Sequence, residues 1–234
     1  MSAKQTKIDP DELLLDLLAS KAGMKQDVYT KAKENFTLLR TELRSLAEQL
    51  GAAIAKRDPR LKVEYSEQGE FFSKVLVAGD TVSFIMHTNV FRLDQSNSLW
   101  KTSYLQEDEQ RGYFGVVNVY NFLSDSFRYD RERDLGYLVA RLFLNREGHF
   151  FVQGKKQLGF RFNDLAGSTL DSESMKDLLR SVLLYVLDFD LLAPPYDQVS
   201  QVTVEEMKQM ESSSMVSTGK RLGFRFQADS DDIT

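Results

Sequence analysis

Cysteine is absent from the chain and histidine occurs only twice, at His87 and His149. Without cysteine there is no disulfide framework, thiol nucleophile or zinc knuckle. The two histidines fall on different expected strands and lack the i, i+4 helical spacing of a zinc protease, so no metal site is expected. Apolar runs are broken by charge every few residues, and none approaches the ~20 residues needed to span a bilayer. The N-terminal MSAKQTKIDP carries lysines with no apolar stretch behind them, unlike a secretory signal. An excess of basic charge is missing too: the formal net charge is −5, which opposes general attraction to nucleic acid or anionic membrane. The expectation is a soluble, cytoplasmic protein with no membrane partner.

Catalytic signatures are missing for identifiable reasons. A phosphate loop needs glycines whose amides close on phosphate, followed by Lys and then Ser or Thr. Here Gly219-Lys220 is followed by Arg221, and Ser214 stands where the first glycine belongs. No GxGxxG follows a strand and opens a helix, and no GxSxG supplies a nucleophile elbow. A magnesium nuclease of the PD-(D/E)xK type needs acids and a lysine on adjacent strands, whereas the E-x-K tripeptide Glu206–Lys208 falls in a helical pattern. No cofactor is expected, and nuclease-like or RNA-binding activity is the weakest alternative.

What the chain does contain is strong periodicity. With 234 residues, 42% hydrophobic and 28% charged, it can bury one substantial core. Asp9, Pro10 and Glu12 form a helix-start pattern before the Leu13–Leu18 cluster, and Gly23 reads as the stop. From Asp27 to about Arg57 the apolar positions Val28, Ala32, Phe36, Leu39, Leu43, Leu46, Leu50 and Ala53 alternate spacings of four and three, a heptad-like stripe. This helix is read as packing lengthwise on its own domain, with Phe36, Leu39 and Leu43 as candidate contacts to a partner chain. After Asp58-Pro59 the period becomes alternating. Phe71–Ala78 and Thr81–Phe91 read as a hairpin across Gly79-Asp80. Ser98–Leu105 and Tyr113–Tyr120 read as strands, and Gly136–Leu144 with His149–Val152 as a second hairpin around Asn145–Gly148. Lys156–Phe162 reads as a further strand, while Asn121–Tyr129 fits helix and strand equally. Helix returns at Ser172–Leu191 under an Asp171 cap and ends at Ala193-Pro194-Pro195. Thr203 and Glu206 then open a short helix to about Met210. The expected fold is α+β, a mostly antiparallel sheet of about six to eight strands packed by a long N-terminal and a C-terminal helix. It forms one domain over 1–211 (helical 9–57, sheet 60–162, helical 171–211), followed over 212–234 by a Ser-rich linker, a tail strand and an acidic end.

The tail strand KRLGFRF, Lys220–Phe226, nearly repeats KQLGFRF at Lys156–Phe162. On a strand Leu222, Phe224 and Phe226 share one face, as do Leu158, Phe160 and Phe162. The heptapeptide is one residue short of the basic-aromatic signature of RNA-recognition motifs, so addition to a sheet edge, in its own or another protomer, is preferred. Chance likeness between two amphipathic strands is the plain alternative. The leading expectation is therefore a non-catalytic interaction or assembly protein, a homo-oligomer, using Phe36, Leu39, Leu43, Leu222, Phe224 and Phe226. The competing one is a small-ligand-binding protein or enzyme with a polar pocket at His87, Tyr120, Asn121 and Arg141, polar groups set in apolar strands that need hydrogen-bond partners. FRYDRERD, Phe127–Asp134, mixes arginines with acids and reads as a solvated connection.

Overall fold

In the computed structural model, which describes residues 9–132, 134–155, 157–189, 193, 195–205 and 207–208, the chain enters a helix where its capping residues direct. The Asp9 carboxylate accepts a hydrogen bond from the Asp11 N–H at 3.1 Å, and Pro10 occupies the first helical position. Helix α1 (Pro10–Leu17) passes through a π-helical stretch, Leu18–Ala22, into α2 (Gly23–Ala55). Gly23 is not the expected stop: its φ of −56° is right-handed, whereas a glycine stop uses the left-handed region.

The sheet follows as β1 (Val63–Glu67), β2 (Phe72–Val77), β3 (Asp80–Met86) and the two-residue β4 (Phe91–Arg92). After α3 (Ser103–Glu107) come β5 (Tyr113–Leu123), α4 (Ser124–Arg128), β6 (Tyr137–Leu144) and β7 (Phe150–Gly154). The short α5 (Gln157–Arg161), α6 (Ser172–Leu187) and α7 (Tyr196–Val199) complete the described elements. The fold is α+β: the strands pair antiparallel in the order β1-β2-β3-β5-β6-β7, with β4 attached to β5. The first hairpin turns one residue earlier than expected, at Ala78-Gly79 between the paired Val77 and Asp80, with Ala78 left-handed at φ 53°.

Alternation divides the sheet into two faces. On the inner face Phe84 lies opposite Val119, Val117 opposite Leu142, and Leu142 opposite Val152. These side chains meet the buried stripe of α2 and the apolar side of α6 in one core. The helix and the sheet come closest at Gly115, where an added Cβ would stand 2.3 Å from the Ala32 Cβ. At the β1 edge the helix is tied by charge. Glu67 accepts from Tyr65 Oη at 2.7 Å and from Arg40 Nε at 3.1 Å, with Arg44 Nη2 at 3.0 Å.

Three sequence expectations fail in instructive ways. Ser98–Leu105 is not a strand: Asn97 caps a 3-10 turn through the Leu99 N–H, and α3 follows, burying Leu105. Local capping outweighs a run of bulky residues there. Lys156–Phe162 is not a strand either, because α5 occupies 157–161. Leu158 and Phe162, four apart, are buried on one helical face, while Phe160 is 82% exposed. Gly159 permits the packing, since a Cβ there would lie 2.5 Å from the Gly154 carbonyl oxygen. Finally, FRYDRERD is not a solvated connection throughout. Arg131 and Asp134 each retain only 9% side-chain exposure, 3.7 Å apart, and Asp134 accepts from Ser126 Oγ.

Two outcomes follow from this packing. Gly115→Ala should destabilise the protein by about 1–3 kcal/mol, since neither Ala32 nor the strand backbone can retreat far; thermal and urea unfolding measure it. Glu67 is held at about 2 instead of its ordinary 4.5, first by the Tyr65 hydrogen bond and then by Arg40. Its stabilisation is therefore complete above pH 4.5 and is lost as pH falls toward 2. Glu67→Gln should flatten the fall in melting temperature across that window.

Candidate functional site

The outer face of the sheet is covered at one end and open beyond it. Phe114, Phe143 and Phe151 lie beneath the segment between β4 and β5, where Leu93 and Leu105 pack on them together with Leu165. Phe143 and Phe151 stack at 4.6 Å with an interplanar angle of 4°, and Phe114 meets Phe151 edge-on at 5.4 Å. Next along the strands, beside Ile85 of β3, comes a polar row in register, Asn118, Arg141 and Gln153 on β5, β6 and β7. Where this row meets the aromatic cluster, a cavity of about 940 Å³ opens, lined by His87, Asn118 and Arg141 over Phe114, Val116 and Phe143.

Arg141 extends beside the Phe143 ring, its guanidinium carbon 5.4 Å from the centroid. Its Nη2 donates to Gln153 Oε1, and its Nε–H is buried without an acceptor. His87 is tied into a local turn: its Nδ1 accepts from the Asn89 N–H at 3.0 Å, and its ring meets Phe91 edge-on at 4.7 Å. Of the four residues expected to form one pocket, His87 and Arg141 share the cavity. Tyr120 stands on the outer face outside its lining, beside Phe122. Asn121 is on the inner face, 4% exposed, donating to Asp80 Oδ1 at 3.1 Å. Strict alternation along Asn118–Asn121 already separates Asn121 from the other two polar residues, and Asn118 is the one that lines the cavity.

A second polar cluster positions the cavity's roof. Asn145 is fully buried at the β6–β7 turn, where its Oδ1 accepts from the Glu147 and His149 N–H groups. Its Nδ2 donates to Tyr104 Oη at 2.8 Å, and Tyr104 Oη donates to Glu147 Oε2 at 2.9 Å. Arg111 Nε donates to Glu147 at 3.0 Å, and Arg146 grips Asp108 and Gln110. Burial, with the Glu147 contact in support, pushes the Tyr104 phenol up to about 12, so it keeps its proton and serves as a structural donor rather than a base. The polar run QEDEQRG, residues 106–112, pins the turn through contacts some forty positions away, which local sequence does not reveal.

Among the described residues no three His, Asp or Glu side chains gather to hold a metal ion, and no helix is long and apolar enough to cross a membrane. The expected partner contacts on the long helix are internal: Phe36, Leu39 and Leu43 are 2%, 2% and 0% exposed in the chain's own core. Leu222, Phe224 and Phe226 lie outside the described residues. The free edge of β7 is occupied, since the Phe150 and Val152 N–H groups donate to the carbonyls of Ser168 and Phe162. Among the described residues the densest run of exposed apolar side chains is on the N-terminal helix, where α1 buries no residue and Leu13, Leu14, Leu15, Leu17 and Leu18 are all exposed. Comparison of the chain with protein-family models, curated proteins and solved structures gives no match.

Replacing Tyr104 with Phe should cost about 1–3 kcal/mol, because the buried Asn145 amide loses its acceptor while the ring stack on His149 remains. Chemical denaturation of the variant beside the parent protein checks this.

Proposed function

We propose that the protein is a non-catalytic interaction protein that assembles with a second copy of itself through the leucine-bearing start of its long helix. The observation that carries this reading is the exposure of Leu13, Leu14, Leu17 and Leu18, at 48%, 57%, 49% and 62%. At 100° per residue these four fall within one side of a helix. Such a stripe in water gains by meeting another apolar stripe, since each leucine fully covered is worth about 1.5–3 kcal/mol.

Charge selects the occupant and its direction. Asp9, Asp11, Glu12 and Asp16 lie toward the start of the arm, and Lys21 and Lys25 toward its end. Two arms packed antiparallel set each acidic end beside the other's basic end, whereas parallel packing opposes like charges. A contact of four leucines from each arm is small beside the roughly 1,200–2,000 Å² of standard specific interfaces. Association is accordingly concentration-dependent.

The test is sedimentation of the full chain across a concentration series. The parent protein should move from one-chain to two-chain mass, and Leu14→Asp with Leu18→Asp should hold it at one chain with an unchanged melting temperature, because α1 contributes nothing to the core. Lys21→Glu with Lys25→Glu should weaken association as well. A parent protein of one-chain mass at every concentration, or a leucine variant that still associates, removes the proposal.

A further inference from the structure

We infer that the cavity on the outer face of the sheet binds a monoanionic carboxylate carried on a flat apolar body, Arg141 taking the carboxylate and the phenylalanine floor the body. The charge balance leads to this. Among the described residues Arg141 has no acidic partner: its guanidinium donates to the neutral, exposed Gln153 side chain, and its Nε–H has no acceptor. A half-buried cation held by a neutral amide gains from an incoming carboxylate, which makes shorter, stronger, charge-assisted bonds. The other charged groups of the cavity already have contacts of their own. Arg92 pairs with Glu109 at 3.3 Å and lies over the Trp100 ring, and Asp94 accepts from the N–H and Oγ of Ser96 at 2.8 and 2.5 Å. Asp94 keeps its charge on the Ser96 side of the cavity, so Arg141 is the lining arginine without an ion pair among the described residues, and its single charge suits a carboxylate rather than a dianion.

Geometry points the same way. The Nε and Nη2 hydrogens lie on one edge of the planar guanidinium, so a swing of the Gln153 amide presents a two-donor edge that fits both oxygens of a carboxylate. Asn118 faces Arg141 in register and has no side-chain hydrogen bond among the described residues, so its amide is free to join. The stacked, parallel Phe143 and Phe151 rings, with Phe114 edge-on, make an aromatic wall on which a further ring system can pack. At about 940 Å³ the cavity is at the upper end for small-ligand sites. This site is separate from the leucine arm and does not depend on self-association.

The experiment titrates the full chain with 2-naphthoate, with uncharged 2-naphthol and with inorganic phosphate. Calorimetry is followed alongside the emission of Trp100, the single tryptophan, whose Nε1–H donates to the Asp94 carbonyl at 2.9 Å. Naphthoate should bind roughly tenfold or more tightly than naphthol, with no competition from phosphate, and Arg141→Gln should reduce it to the level of naphthol. Gln153→Glu, at an exposed position that folding does not depend on, places a carboxylate beside Arg141 and should lower naphthoate affinity by the same order. Equal binding of naphthoate and naphthol overturns the proposal. So do phosphate binding in place of naphthoate, no saturable binding at millimolar naphthoate, and an affinity unchanged by Gln153→Glu.

Discussion

The fold depends on one close approach, that of the long helix to the middle of the sheet at Ala32 and Gly115. Both partners are as small as residues come, so the helix backbone settles onto the strand itself. Larger side chains on either side then reach the sheet without leaving voids: Met24 and Val28 toward one end, Phe36, Leu39 and Leu43 toward the other. Interiors are close-packed and tolerate little change in volume, so the height of the helix above β5 also sets the depth available to Phe84, Val117 and Leu142. The Glu67 clamp with Arg40 and Arg44 fixes the helix's orientation at the sheet edge, but it is an exposed contact whose worth is modest beside the core.

Because both α2 and α6 lie on the inner face, the outer face has to be satisfied by other means. Its aromatic end is covered by the segment between β4 and β5, a series of short 3-10 and α-helical turns held by side-chain bonds to the β6–β7 turn. The Tyr104, Asn145, Glu147 and Arg111 network supplies that hold. The cover stops at the polar row, and this boundary generates the concavity. Arg141 and Phe143 stand two residues apart on the same strand, so a cation and an aromatic wall meet there by alternation alone. The cavity is thus a product of a lid that is shorter than the sheet it covers.

How much of this is legible in the sequence varies with the range of the interaction. The helix start at Asp9, the stripe of α2 from Val28 to Leu43, the β6–β7 hairpin and the Asp171 cap of α6 are local signals, and each is where its residues direct, while Leu50 and Ala53 at the expected end of the stripe are exposed. The failures share a cause. KQLGFRF supports a two-residue period through Leu158, Phe160 and Phe162 and a four-residue period through Leu158 and Phe162; only the space beside Gly154 decides for the helix. Likewise β1 escapes notice because Val63–Glu67 is polar at three of its five positions, and it forms a strand through pairing with β2. The site is legible to a smaller extent. That Arg141 and His87 are polar groups in apolar strands is evident from sequence, but their sharing a cavity with Asn118 and not with Asn121 depends on strand order.

The exposed leucines have a geometric origin. At 1.5 Å per residue the helical path from Pro10 to Ala55 is about 69 Å long. Six strands about 4.8 Å apart make a sheet less than about 30 Å wide, and its longest strand, β5, is about 37 Å. No orientation of the helix lets the sheet cover all of it. The buried positions run only from Met24 to Ala47, about 35 Å of helix, which matches the sheet's own dimensions. Residues before Met24 therefore cannot be buried by this sheet whatever their character. Polar or small residues would satisfy that constraint at little cost, and the helix beyond Ala47 mostly uses them (Glu48, Gln49, Gly51, Ala52, Ala53 and Ala55), whereas the arm places five leucines in six positions. Fold stability gives no reason for that choice, since α1 buries nothing. The proposed packing of two such arms would supply one.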